Sequence, residues 1–346
     1  MKGITRLAMR RAAEYGKAEI PARSRYGGGN DMKQITYLSG ADQSMQPALI
    51  APAEGREARP LAVCLHTWSY GLEEWYAEEY IKACAERNWH LIYPLFRGPN
   101  WNKEACGSDL VVSDLECAVE YMKENYAVDE SRIYLVGGSG GGHASLLMAG
   151  RRPEIWTAVS SWCPISDVAA WFTQTRSMAN RHMGGYADHI FSACGGDPTT
   201  CPEAMEQAKH RSPLTWLANA AGNVILDIGT GIHDGHTGSV PVSHAILAFN
   251  EVAAPEDRIA QADIDYIVEK EEIPSHLVFD GEDPAYGENR VLMRRTSGSV
   301  RLTLFEGGHQ ILTETAFSFL ENQVRGAEPV WFSGKKTQGS AAELTK

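Results

Sequence analysis

The sequence predicts an α/β protein built on a doubly wound, mostly parallel sheet, and three observations carry that expectation. Apolar runs alternate with helical patterns along most of the chain, the signature of strands joined by crossover helices. The runs at 61–65 and 90–95 are almost continuously apolar, as strands buried on both faces are. The run at 132–136 breaks into Gly137-Gly-Ser139-Gly-Gly-Gly-His143 before a helical pattern resumes, so a strand turns sharply into a helix around one serine.

Taken in order, residues 1–33 are polar and end near Gly27-Gly-Gly29, which predicts a loosely packed N-terminal arm. Residues 34–39 and 45–52 read as two strands around the polar turn Gly40-Ala-Asp-Gln-Ser44, an antiparallel hairpin. A helical stretch at 73–86 separates the two buried strands. Helix 110–126, strand 132–136, helix 144–149 and strand 156–162 continue the alternation. The stretch 165–214 contains no convincing buried strand and is expected to be a helical cap over the site. Val224-Ile-Leu-Asp-Ile228 resumes the sheet, a helix follows at 243–252, and residues 253–299, rich in charge and proline, read as a second insertion packed outside. Strand 300–305 and helix 313–324 complete a main domain of 34–325, with a polar tail at 326–346. No internal repeat or low-complexity segment is visible.

Composition excludes several classes. With 32 Lys and Arg against 44 Asp and Glu, the net charge of −12 argues against nucleic acid or an anionic membrane as the principal partner. The first residues carry Lys2, Arg6, Arg10 and Arg11 without an apolar stretch behind them, and no run approaches a membrane span, so a soluble, cytoplasmic protein is expected. Seven scattered cysteines do not form a disulfide framework, which fits a reducing compartment; Cys194 and Cys201, flanking one loop, are the pair that export would join. Cys163, between Trp162 and Pro164, reads as a small buried apolar residue rather than a nucleophile.

Gly137, Ser139 and Gly141 make a GxSxG motif, in which a serine on a strained strand-to-helix turn exposes its hydroxyl above the sheet. A serine hydroxyl is a poor nucleophile at neutral pH, so it needs a general base and a carboxylate to orient that base. His309, in Leu304-Phe-Glu-Gly-Gly-His-Gln after the last strand, is the base expected for the chain order Ser, Asp, His. Three carboxylates compete for the third role. Asp234 follows the 224–228 strand and precedes Val240-Pro241; Asp280 and Asp283 lie nearer His309 in sequence; context favours Asp234. Asp227, in mid-strand, should point into the sheet layer. The oxyanion of a tetrahedral intermediate needs aimed donors. Gly140 N–H supplies one, and in the loop His66-Thr-Trp-Ser-Tyr-Gly71 the position of Trp68 N–H makes it the expected second. His143 should pack in the core one turn past the serine. His233 and His236 flank Asp234 but lack a ligand set, so they read as loop hydrogen-bonding groups, and neither metal nor cofactor is called for. Trp68, Trp101, Trp162 and Trp171 fall near site-side loops, Trp68 and Trp162 being the expected substrate contacts.

With these residues in place the chain resembles the catalytic domain of the prolyl oligopeptidase family, within the α/β-hydrolase fold. The likeness spans about 34–322 and rests on the hairpin, the His66 loop, Phe96-Arg97-Gly98, the Ser139 turn, Arg211-Ser-Pro-Leu214, the stretch from His233-Asp234 to Val240-Pro241, and Gly307-Gly-His309. The resemblance implies Asp234 as the acid, because the family places its acid shortly before a Val-Pro pair, although the gap here is longer. The residues 253–299 are a second departure, and Thr67 stands where such hydrolases often carry glycine. Family peptidases use a tyrosine side chain at the oxyanion, which keeps Tyr70 in view. They also carry a large N-terminal β-propeller, whereas about thirty polar residues precede the first strand here. The expected activity is therefore a serine carboxylester hydrolase acting on a small-molecule or carbohydrate ester through an acyl-enzyme. An oligopeptidase or acylaminoacyl peptidase is the alternative, and a non-catalytic binding protein on the same fold the third reading. Oligomeric state stays open.

Overall fold

A computed structural model describes residues 32–177 and 181–331, with the side chains of 181–184 outside the description. Most of the N-terminal arm and of the tail lie outside these residues. Nine strands form one sheet in the order β1-β2-β4-β3-β5-β6-β7-β9-β8. The hairpin β1 (Lys33–Leu38) and β2 (Met45–Ala51) is antiparallel and joins β4 (His90–Pro94) antiparallel. From β4 the sheet runs parallel through β3 (Arg59–Leu65), β5 (Val128–Gly138), β6 (Ala158–Trp162), β7 (Ile225–Gly231) and β9 (Val300–Phe305). Every residue of β4, β6, β7 and β9 is buried; β4 reads as an apolar run, whereas β9 (VRLTLF) buries Arg301 and Thr303 between its apolar residues.

Helices cover both faces. On one lie α2 (Asp109–Asn125), α3 (Gly140–Arg151), α7 (Ser243–Val252) and α8 (Gln261–Lys270), packed through residues such as Leu115, Leu146 and Phe249. On the other lie α1 (Tyr76–Arg87) and α9 (Thr313–Leu320), with Tyr80, Trp89 and Phe317 between them and the sheet. Local chemistry sets several ends. Ser108 caps α2 by accepting the Val111 N–H at 3.3 Å, and Asn88 closes α1 in the left-handed region. Beyond β4, Phe96, Arg97 and Gly98 all have positive φ, and the turn presents the Arg97 guanidinium to buried Asp114 at 2.5 Å and to Asp42 at 2.7 Å. That pair of bonds ties the hairpin to α2.

The residues 253–299 are not wholly an external insertion. Their last part, β8 (Val291–Ser297), pairs antiparallel with β9 and forms the sheet edge. Its sequence, VLMRRTS, hides the strand because the half-buried edge takes Arg294, paired with Asp283, and Arg295 among its apolar residues. No helix among the described residues is long and apolar enough to cross a membrane. All seven cysteines are free thiols, Cys194 and Cys201 included.

The register sets the site. Gly138 pairs with Trp162, Trp162 with Gly229, and Gly231 with Phe305, so the carboxyl ends of β5, β6, β7 and β9 are level. The loops leaving those ends converge, as ligand-binding loops do in open α/β sheets.

Candidate active site

Ser139 stands between β5 and α3 with φ 57° and ψ −117°, a conformation costly for a residue with a Cβ and held by its surroundings. Its N–H donates to the Trp162 carbonyl at 2.8 Å and its carbonyl accepts the His143 N–H at 2.8 Å. Close approach decides the residue after it. A Cβ on Gly140 would lie 2.4 Å from the backbone nitrogen of Trp68, so only glycine lets the two loops meet. Gly140 N–H opens α3 and Trp68 N–H has no acceptor among the described residues, leaving two adjacent backbone donors. Tyr70 is 49% exposed and makes no hydrogen bond among the described residues.

The loop after β7 folds over to meet the loop after β9. Asp234 is 1% exposed; its Oδ2 accepts the His309 Nδ1–H at 2.7 Å, and its Oδ1 accepts the Gly235 and Val240 N–H groups at 3.0 and 3.1 Å. Gly238 packs on this pair, where a Cβ would fall 2.3 Å from Asp234 Oδ1 and 2.4 Å from His309 Cβ. Burial pulls the His309 pKa down, but the Asp234 carboxylate beside it wins and holds it well above the ordinary imidazole value. The His309 loop reaches back to the serine turn, for Ile311 packs so tightly on Gly138 that a Cβ there would meet its side chain at 2.2 Å. Asp234 and His309 are thus brought together beside the Ser139 turn.

The rival acids lie elsewhere. Asp280 is exposed, and Asp283 pairs with Arg294 at 2.8 Å while capping a short turn through Ala285 N–H. Asp227 faces the sheet layer, bonded to Arg301 at 2.7 Å.

The tryptophans divide differently from expectation. Trp162 is fully buried, its ring beside Tyr286 and Phe305 and its Nε1–H donating to Ser160 Oγ at 2.9 Å. It is core, a correction to its expected contact with substrate, because the strand's alternation turns its side chain to the face covered by α1 and α9. Trp68 is also buried, under the helices of the 165–214 stretch: α4 (Val168–Ser177), α5 (Arg181–Cys194) and α6 (Pro202–Arg211). Its ring meets Trp171 edge-on at 4.7 Å and its Nε1–H donates to His189 Nδ1 at 3.3 Å. Trp171 in turn donates to the Ser239 carbonyl at 2.8 Å, fastening α4 to the Asp234 loop. Trp101 is 43% exposed, beside His189.

His143 is buried, bonded through Nε2 to the Arg211 carbonyl at 2.8 Å, and burial pushes its pKa down to about 4, so it is a neutral packing residue. His233 bridges Glu271 at 2.6 Å and Glu306 at 2.8 Å, while His236 bonds the Val268 carbonyl at 2.7 Å, joining the end of α8 to the Asp234 loop. The Glu271 carboxylate first, then Glu306, raises the His233 pKa. A raised folded-state pKa stabilises fully below the unfolded value of about 6.5 and is lost as pH rises through the folded one. Amide exchange in α8, corrected for its intrinsic base catalysis, should therefore quicken above that pH, and His233→Gln should remove the pH dependence.

One residue escaped sequence reasoning. Glu74 is 2% exposed, and its carboxylate accepts the Thr67 N–H at 2.8 Å, the Tyr93 hydroxyl at 3.0 Å and the Thr67 hydroxyl. A buried anion beside an oxyanion site opposes the developing charge, so its contribution is to hold the Thr67–Trp68 peptide in place. In Leu72-Glu-Glu-Trp75 nothing separates it from solvated Glu73. Glu74→Gln turns one acceptor into a donor facing Thr67; we expect kcat to fall about tenfold to a hundredfold with KM nearly unchanged. Steady-state kinetics checks this.

The nine-stranded fold is that of an α/β-hydrolase, and it brings Asp234 and His309 together beside the Ser139 turn. The model of the prolyl oligopeptidase family matches residues 97–191, the segment that carries Ser139. No curated protein matches the sequence. Among solved structures, Pyrococcus horikoshii acylaminoacyl peptidase is similar over 89% of this chain and 44% of its own, with 13% identity and a TM-score of 0.59. The acetyl xylan esterase from Paenibacillus sp. R4 is similar over 92% of both chains, with 15% identity and a TM-score of 0.57. A Mycobacterium tuberculosis puromycin-hydrolyzing peptidase is similar over 86% of this chain and 39% of its own, with 15% identity and a TM-score of 0.52. The chain spans less than half the length of the two peptidases.

Proposed function

We propose that this protein hydrolyses carboxylic esters through an acyl-enzyme, and that the observation carrying the reading is the pairing of His309 with buried Asp234 beside the strained Ser139 turn. Ser139 Oγ attacks the acyl carbon while His309 Nε2 takes its proton, and Asp234 holds Nδ1–H so that Nε2 presents its lone pair. Gly140 N–H and Trp68 N–H receive the oxyanion, with backbone donors preferred to the exposed Tyr70 hydroxyl. His309 then protonates the leaving alcohol, and water attacks the acyl-enzyme with His309 again as base. No step requires a cofactor.

Acyl esters of carbohydrates are the substrate class we favour. Tyr70, Trp75 and Trp101 are large apolar side chains exposed on the loops that follow β3 and β4, and Trp75 stacks on Tyr76 at 3.8 Å, leaving rings on which a sugar can lie. The likeness to an acetyl xylan esterase over nearly the whole of both chains supports this reading. The family match supports the alternative, cleavage of acylated or short peptides.

Rates with p-nitrophenyl acetate, an acetylated oligosaccharide and a panel of aminoacyl p-nitroanilides separate these readings, with Ser139→Ala as control. Faster anilide than ester turnover would overturn the ester assignment. Absence of fluorophosphonate labelling at Ser139 would favour a binding protein on this fold.

A further inference from the structure

We propose that Cys163, Asp234 and His309 form a binding site for a soft divalent cation of the zinc class, and that occupancy switches the site off. The second half rests on the triad reading; the first does not. Cys163 follows β6 with φ 44°, its N–H donating to the Gly229 carbonyl at 2.8 Å. This left-handed residue sends its thiol under the His309 loop, with Sγ 3.3 Å from the Gln310 carbonyl, 4.0 Å from that of Gly308 and 3.6 Å from Thr230 Oγ1. One donor atom each from Cys163, Asp234 and His309 lie within 4.8 Å of one another, and among the described residues no other group of three or more such side chains does so.

Thiolate, imidazole and carboxylate are a donor set that suits zinc. Bonds of about 2.0–2.3 Å place two ligands of a tetrahedral ion about 3.5 Å apart, so to grip one the His309 Nδ1–Asp234 Oδ2 pair, 2.7 Å apart, must open by nearly 1 Å while the Cys163 thiol closes in. Cys163 and Asp234 are buried, whereas the His309 side chain is 26% exposed and provides the way in and a fourth position for water.

The consequence follows from proton placement. His309 donates Nδ1–H to Asp234 Oδ2, which leaves Nε2 free to accept a proton. A cation that takes Nδ1 displaces that proton, and the neutral imidazole then carries it on Nε2. The thiol loses its own proton to solvent as it ligates, and a His309 that starts as imidazolium loses one too, so binding releases at least one proton per cation. With Nε2 protonated, His309 cannot accept the Ser139 proton. The ion is thus an inhibitor that selects the wrong tautomer.

Cadmium chloride titrated into full-length Ser139→Ala protein tests binding independently of turnover. A thiolate-to-cadmium charge-transfer absorbance saturating at one ion per chain, and lost when Cys163→Ser or Asp234→Asn is added, is expected. Absence of that absorbance, or its persistence in both double variants, overturns the site; circular dichroism confirms that each variant is folded, and either variant alone suffices. Zinc chloride should inhibit p-nitrophenyl acetate turnover reversibly with EDTA, and Cys163→Ser, compared with its own uninhibited rate, should need at least about tenfold more zinc. Equal sensitivity overturns the inhibitory role. Cadmium absorbance in a protein that turns over no ester would leave the site standing and remove the hydrolase reading.

Discussion

Ser139→Ala is expected to lower kcat/KM for an acyl ester by about 10⁴- to 10⁶-fold, because members of a triad act as a unit and the remaining rate comes only from binding and the oxyanion donors. The turn itself should survive. Alanine has the same backbone requirements as serine at φ 57°, and the bond from residue 139 N–H to the Trp162 carbonyl involves no side chain. The melting temperature should stay within a few degrees of the parent, which separates loss of chemistry from loss of fold. A residual rate within tenfold of the parent would remove Ser139 from the mechanism.

Asp234→Asn should cost about 10⁴-fold in kcat, as an orienting carboxylate does when its amide holds the base in the wrong tautomer. Asparagine keeps the volume, and its Oδ1 can still accept the Gly235 and Val240 N–H groups, so the loop should hold its shape. Asp280→Asn, on an exposed side chain, should leave kcat within about twofold. Asp283→Asn should lower stability rather than activity, because it strips the partner from Arg294, whose side chain is 5% exposed. Comparing kcat with thermal midpoint across the three variants distinguishes the roles. An Asp280→Asn enzyme as impaired as Asp234→Asn would contradict the geometry.

The sheet was legible where burial on both faces leaves a near-continuous apolar run, as in β3 and β4. It was not legible at β8, where a sheet edge leaves Arg295 half-buried and Thr296 exposed and the run of polar residues resembles an insertion. The tryptophans show a similar divide. Proximity of Trp162 to the end of β6 is visible in sequence, but which face of the sheet receives its ring depends on register, and register placed it among Tyr286 and Phe305. Glu74 was hidden for a related reason. A buried and a solvated glutamate have the same letter, and only the approach of Thr67 and Tyr93 from two other elements distinguishes them.

The sequence by itself determined the serine turn, because its ingredients are local: an apolar strand, glycines where backbones must touch, and a helix directly after. It also determined His309 and the order of the partners, since chain order follows the order in which strand ends are reached. Only the tertiary structure set Asp234, rather than Asp280 or Asp283, against His309, buried Trp162 in the core, and put the thiol of Cys163 against the His309–Asp234 pair. Those choices depend on side chains 67 to 146 positions apart meeting at the ends of neighbouring strands, and such meetings are set by sheet register and loop packing, which no local pattern records.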